Sequence, residues 1–143
     1  MSKTLEQLFL SEINPYKDCN FLLAISGGVD SMVLSNLFLN NNLSFSIAHC
    51  NFQLRGKESD DDELFLSKWC TDKNIKFYKK KFSTEEYCKK NKLTIQMGAR
   101  ELRYEWFQEL ISKEKHDFVV TAHHIDDQLE TFIINSIRGT GID

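Results

Sequence analysis

The chain has a single proline, Pro15, and six glycines in 143 residues. So few turn-making residues exclude collagen-like, linker-rich and low-complexity architectures. No apolar run is long enough to span a bilayer, and no basic start with an apolar core reads as a secretory leader. The expectation is a cytoplasmic protein without membrane contact. Cys19, Cys50, Cys70 and Cys88 are widely spaced and form no C-x-x-C pair. That excludes a zinc ribbon and favours free thiols over a disulfide framework. The net charge of -3 excludes a general polycation, so contact with nucleic acid would need a local patch or another domain. No internal repeat or linker divides the chain, and its length predicts one domain burying about two-thirds of its surface.

What is present alternates between two periods. Leu5, Leu8, Phe9 and Ile13 fit one face of a helix. The run FLLAIS (21–26) reads as a strand buried on both faces, and SMVLSNLFLN (31–40) as a helix. FSIAHC (45–50) is a second strand. A helix follows, opened by Ser59 and Asp62 as a capping box and by acids 60–63, with Leu64, Phe65 and Trp69 as its apolar residues. IKFYKKKF (75–82) alternates as an edge strand does. A short helix fits 84–91, and Thr94 opens a longer one through Ile95, Ala99, Leu102, Trp106 and Leu110. DFVVTAHH (117–124) is a fourth strand and DDQLETFIINSIR (126–138) a further helix. Strands alternating with helices predict an α/β fold, an open parallel sheet with helices on both faces. Ligands of such sheets bind outside the carboxyl ends of the strands. That places Ser26–Ser31, His49–Arg55 and His123–Glu130 on one rim.

The stretch AISGGVDSMVLS (24–35) sets two of the scarce glycines between a strand and a helix. Gly27 and Gly28 would leave backbone N–H groups exposed at a helix N-terminus, which attracts phosphate, and Ser26 and Ser31 add hydroxyls. Asp30 would repel phosphate unless a cation lies between them, so a magnesium-bound polyphosphate is the natural ligand. The alternative is a bare glycine turn capped by Asp30 or Ser31. No lysine follows the glycines, which excludes the Walker loop, and no G-x-G-x-x-G is present. Arg100 and Arg103, at i and i+3, could reach one anion or form a solvated basic face; Arg55 is a third cation. Asp127 and Glu130, with Asp126, could hold an ammonium group or simply complement a helix dipole. His49, His123 and His124 stand at strand ends without zinc spacing, which favours hydrogen-bonding or nucleotide contacts; His116 reads as surface. Lys79–Lys81 and Lys89–Lys92 read as solvated faces, and Trp69 and Trp106 as core.

SGGVDS after an apolar strand resembles the pyrophosphatase loop (PP-loop) of enzymes that cleave ATP between its α and β phosphates. AHCNFQLRGKESDDDE (48–63), QMGARELRY (96–104) and TAHHIDDQLETFIINSIRGTGID (121–143) are similar to tRNA(Ile)-lysidine synthetases. That resemblance implies a Rossmann-like adenine nucleotide α-hydrolase fold, and a PP-loop domain at 1–143 that ends after its fourth strand. The family's tRNA-binding domains would lie beyond, and the piece alone would be inactive. It implies ATP-binding residues Ser26, Gly27, Gly28, Val29, Asp30 and Ser31, with magnesium at Asp30. The implied catalytic residues are Asp127, Glu130, Arg100 and Arg103. The implied substrates are ATP, free L-lysine and tRNA(Ile). Lysine would join C2 of the wobble cytidine through an adenylated intermediate, releasing AMP and pyrophosphate. Phe52 stands where many members have histidine, and Gln96 where glutamate is common. Rival readings are a tRNA thiolase, disfavoured by the missing C-x-x-C, and a nucleotide-binding module without chemistry.

Overall fold

The apolar runs pair into one sheet, and the amphipathic segments between them cover it. The structure, a computed structural model, describes residues 4–125 and 128–135. Helix α1 (Leu5–Ile13) opens at Thr4. Its hydroxyl accepts from Gln7 N at 3.1 Å, and the Gln7 side chain accepts from Thr4 N at 2.9 Å. After a 3-10 turn at Asn14–Tyr16, which holds Pro15, come β1 (Asn20–Ala24), α2 (Val29–Asn40), β2 (Ser44–Asn51) and α3 (Lys57–Lys73). Then follow β3 (Phe77–Lys81), α4 (Thr84–Asn91), α5 (Ile95–Glu114), β4 (Phe118–Ile125) and β5 (Gln128–Asn135). Thr94 caps α5 by accepting from Met97 N at 3.2 Å, as its sequence position predicts.

The strand order is β3-β2-β1-β4-β5, and the first four strands are parallel. The chain winds outward from β1 through β2 to β3, then returns to β1's other side as β4. The reversal beside β1 is the switch point at which such sheets bind ligands. Alternate residues of the central strands feed two cores, as a sheet covered on both faces requires. Phe21, Leu23, Ile47 and Val120 pack with Phe9 and Ile13 of α1, Leu34 and Phe38 of α2, and Leu66 and Cys70 of α3. Leu22, Ala48 and Val119 face the other way, against Trp106, Phe107, Leu110 and Ile111 of α5. Phe38 is fully buried, with ring centroids 5.1 Å from both Phe9 and Phe21, so losing its ring would cost about 3–5 kcal/mol.

Four expectations are corrected. Residues 128–135 are not helical: β5 runs antiparallel to β4 from Phe118↔Asn135 to Ile125↔Gln128. Leu129, Phe132 and Ile133 fit a helical face, but Thr131, Phe132, Ile133 and Ile134 also favour a strand. Pairing to β4's open edge settles that ambiguity. Helix α3 starts before Ser59, at Lys57, with Gly56 as its N-cap and no side-chain cap. It buries Ser59, Glu63, Leu66 and Cys70, while Leu64 and Phe65 are exposed. His116, expected at the surface, is buried against Tyr78, with ring centroids 6.1 Å apart. Burial lowers its pKa from the ordinary 6.5, assisted by Lys76 and opposed by Glu114 and Asp117. Trp106 is core and Trp69 packs partly buried against the first core, both as expected.

Candidate functional site

The turn from β1 into α2 is built on Gly27, whose φ of +98° is a conformation L side chains rarely adopt. Gly28 is different. It is the N-cap of α2 at φ -74° and ψ 172°, ordinary extended backbone, and a Cβ there would meet only Ser26 Oγ at 3.5 Å. The strain expected of the glycine pair therefore resides in Gly27. The two serines close the turn on itself. Gly27 N donates to Ser31 Oγ (3.1 Å), Gly28 N to Ser26 Oγ (3.2 Å), and Ser31 Oγ to Gly28 O (2.9 Å). The two hydroxyls lie 3.3 Å apart. Met32 N makes the first bond of the helix, to Gly28 O, and no side chain caps that end. The N–H groups of Val29, Asp30 and Ser31 thus stand ahead of the intrahelical ladder, at the positive end of the dipole. The side chain of Asp30 lies outside the described part of the structure.

Two cavities meet at Ser26. The smaller, about 90 Å³, is lined by Ala24, Ile25, Ser26, Ala48, Cys50, Phe52, Arg103 and Phe107. Small residues on β1 and β2 leave this space, and α5 brings Arg103 to it. The larger, about 270 Å³, extends from Ser26 past His49, Cys50, Asn51, Phe52 and Leu54 to Arg55, Ser59 and Asp62. Phe52 belongs to both and stacks on Phe82, with centroids 5.5 Å apart and rings inclined at 24°.

Asn51, buried at the end of β2, fixes the loop that forms this wall. Its amide donates to Asp60 Oδ1 (3.0 Å) and Glu63 Oε1 (3.3 Å), and its carbonyl accepts from Gln53 N (3.0 Å). Gln53 reaches Phe82 O at 3.0 Å. Ser59 Oγ accepts from Arg55 N at 3.2 Å. Arg55 pairs with Asp62 (2.5 Å) and Glu58 (3.6 Å). Asp62 also flanks the turn, since its Cβ lies 3.5 Å from where a Gly27 Cβ would stand.

The sequence-predicted cations separate. Arg100 and Arg103 both lie over the Tyr104 ring, at 5.0 and 5.4 Å, which orders them as neighbours. Arg103 is half-buried in the small cavity, whereas Arg100 is exposed. Lys79 and Lys81 are drawn to Glu63 (3.6 Å) and Asp60 (3.7 Å), a paired face of α3 and β3. Asp126 and Asp127 lie outside the described residues. Glu130 is on β5 opposite His123, with both side chains and that of His124 outside the described part. Sequence reasoning set Asn51 on the rim and read Asp62 and Glu63 as helix-start acids, but it missed the side-chain bonds by which Asn51, Glu63 and Asp62 hold the loop. A strand ending in asparagine was the available signal for a loop held by side-chain bonds.

Cys50 lines both cavities. Burial pushes its thiol up to about 12, with Arg103 and Lys80 opposing. It is a protonated wall residue near neutral pH. All four cysteines are free. Among the described residues no helix is long and apolar enough to cross a membrane.

The chain is similar to known proteins in both sequence and fold. The chain is 43% identical over 121 residues to a tRNA(Ile)-lysidine synthase of Porphyromonas gingivalis, covering 85% of this chain and 27% of that protein. It is 40% identical over 137 residues to the Bacteroides thetaiotaomicron enzyme of the same name, covering 96% and 31%. With that of Petrotoga mobilis it shares 39% over 145 residues, covering 96% and 46%. The chain thus spans from about a quarter to under half of these relatives' length. In structure it is similar to an NH3-dependent NAD synthetase from Campylobacter jejuni, with TM-score 0.59 and 18% identity over 80% of this chain and 52% of that one. An NMN synthetase from Francisella tularensis gives TM-score 0.58 at 17% identity over 80% and 50%. These two likenesses support the fold alone. Residues 1–143 match the PP-loop domain family throughout, and the chain belongs to it.

Proposed function

We propose that this chain is the ATP-activating part of an enzyme that joins lysine to C2 of the wobble cytidine of tRNA(Ile) in the cytoplasm. The observation that carries the reading is the PP-loop turn itself. Ser26 and a positive-φ glycine precede an uncapped helix N-terminus whose first turn carries Ser31, beside a cavity that holds Arg103. The naming of the relatives at about 40% identity directs it to lysidine formation.

The turn is suited to a triphosphate. Ser26 and Ser31 hold the N–H groups of Gly27 and Gly28 in the free protein. An arriving anion would take over these donors and add the N–H groups of Val29, Asp30 and Ser31. Among the described residues no three metal-ligating side chains converge. A magnesium ion would rest on phosphate oxygens and water with the Asp30 carboxylate, which is how magnesium is usually held with nucleotides. It would neutralise charge on the polyphosphate. Arg103, which lines the cavity beside Ser26, would meet charge growing on the α-phosphate, and Arg100 stands one turn behind it. The cytidine O2 would attack that phosphorus, expelling pyrophosphate. The lysine ε-amine would then attack C2, and AMP would leave with the oxygen. Asp127 and Glu130 are the carboxylates we assign to the lysine ammonium, which must lose a proton before attack. Burial raises the thiol of Cys50, which shares a cavity with Ser26, and a protonated thiol is a poor sulfur carrier near neutral pH. That disfavours a thiolase.

The test is to let residues 1–143 replace the matching segment of the Bacteroides thetaiotaomicron relative, then follow pyrophosphate release with tRNA(Ile) and lysine. Release that requires both substrates, with lysidine in the product, is expected. A folded chimera that binds tRNA but releases no pyrophosphate would refute the assignment.

A further inference from the structure

The reaction proposed above leaves one rim cation, Arg55, without a task. Arg55 stands in the loop between β2 and α3, where its backbone is fixed by the bond from Arg55 N to Ser59 Oγ (3.2 Å). Its guanidinium is tied to Asp62 at 2.5 Å and more loosely to Glu58 at 3.6 Å. Asp62 is the link to the turn, since its Cβ and Cγ lie 3.5 and 3.7 Å from where a Gly27 Cβ would stand. A carboxylate thus borders the turn, where it would repel a polyphosphate, and the guanidinium beside it offsets that charge. Arg55 and Asp62 line the 270 Å³ cavity together with Ser26. Their side chains are 60% and 33% exposed, and an ion pair so open to water is held weakly. A phosphate group offers the guanidinium two oxygens in fork geometry and more charge than one carboxylate. Because the anchor of Arg55 is its main chain, the side chain can turn without moving the loop.

We infer that Arg55 changes partners: Asp62 holds it in the free protein, and a polyphosphate at the turn draws it off to the outer phosphates, the pyrophosphate that leaves. This rests on the ATP reading above and adds a leaving-group residue to it. Arg103 lines the other cavity that meets Ser26, so the two arginines approach the turn from different cavities. With Arg103 at the α-phosphate, Arg55 is left for the phosphates beyond it. Asp62 sets the cost of the exchange, because it competes for the guanidinium and repels the anion. Its removal should therefore tighten binding, which loss of a merely structural residue would not do.

The experiment titrates inorganic pyrophosphate and ATP calorimetrically into the native protein, Arg55→Gln, Asp62→Asn and the double variant, each with its fold verified by circular dichroism. Arg55→Gln should weaken pyrophosphate binding by about tenfold, the loss of a charge-assisted contact. Asp62→Asn should strengthen it by about threefold, the release of a weak surface pair. The double variant decides between contact and shielding. If Arg55 reaches the phosphates, it should bind pyrophosphate about threefold more weakly than the native protein, the tenfold loss less the threefold gain. If Arg55 only shields Asp62, removing both charges leaves the turn as it was, and native affinity in the double variant would overturn the inference. Weaker binding by Asp62→Asn would overturn it too. ATP binding without pyrophosphate binding by the native protein would overturn the inference and leave the ATP reading standing. Absence of both would overturn the two together.

Discussion

Gly98 lies inside α5, in the QMGAR stretch, where α4 packs closest. An alanine Cβ there would stand 2.1 Å from Cys88 Sγ, with Cys88 Cβ and Tyr87 Cδ2 both at 3.6 Å. Cys88 is buried and its thiol reaches Thr94 O at 3.4 Å, so turning the sulfur away from the new Cβ gives up that bond. Two effects oppose each other in Gly98→Ala. Helix propensity favours alanine by about 1 kcal/mol. Overpacking in a closed helix–helix contact costs about 1–3 kcal/mol, and the weakened thiol bond adds to that. The clash should win, leaving the variant destabilised by about 1 kcal/mol. Removing the sulfur reverses the sign. In a Cys88→Ala background the nearest contacts are ordinary, and Gly98→Ala should then stabilise by about 1 kcal/mol through propensity alone. A double-mutant cycle by urea unfolding should therefore give a coupling of about 2 kcal/mol between the two sites. Additive effects, or stabilisation by Gly98→Ala in the native background, would show that α4 and α5 are not held at this distance.

Gly27→Ala should lose about 1–3 kcal/mol to torsional strain, while Gly28→Ala should change stability little; equal losses in thermal unfolding would contradict the assigned turn. The lowered pKa of His116 means the fold prefers its neutral ring. The unfolded chain binds the extra proton first, so this contribution is full above the ordinary 6.5 and is lost as pH falls through the lowered folded value. Denaturant midpoints measured from pH 7 downward should fall more steeply in the native protein than in His116→Gln, and parallel curves would refute this. Cys50, with its thiol pushed up to about 12, should resist alkylation at pH 8 in the folded protein and react only after unfolding. Rapid labelling of Cys50 in the native state, located by peptide mass analysis, would oppose its reading as an inert wall.

Periodicity and end signals alone specified most of the fold. FLLAIS and DFVVTAHH are apolar on both faces, which only a covered inner strand satisfies, and they became β1 and β4 at the centre of the sheet. Thr94 announced α5 because a threonine hydroxyl caps a helix through purely local bonds. The glycine turn was legible for the same reason, since adjacent glycines between strand and helix have a local conformational meaning. Tertiary structure decided the rest. Which glycine bears the strain depends on how α2 leaves the sheet, and it is Gly27. Arg100 and Arg103 both lie over the Tyr104 ring, yet only Arg103 lines the cavity, because the packing of α5 on the sheet brings its position there. Segment 128–135 carries both helical and strand signals, and the edge of β4 selected the strand. His49, Asn51, Glu63 and Asp62 look like scattered polar residues until β2 and α3 meet. Their roles depend on burial and on partners up to 24 residues away, which no local pattern encodes.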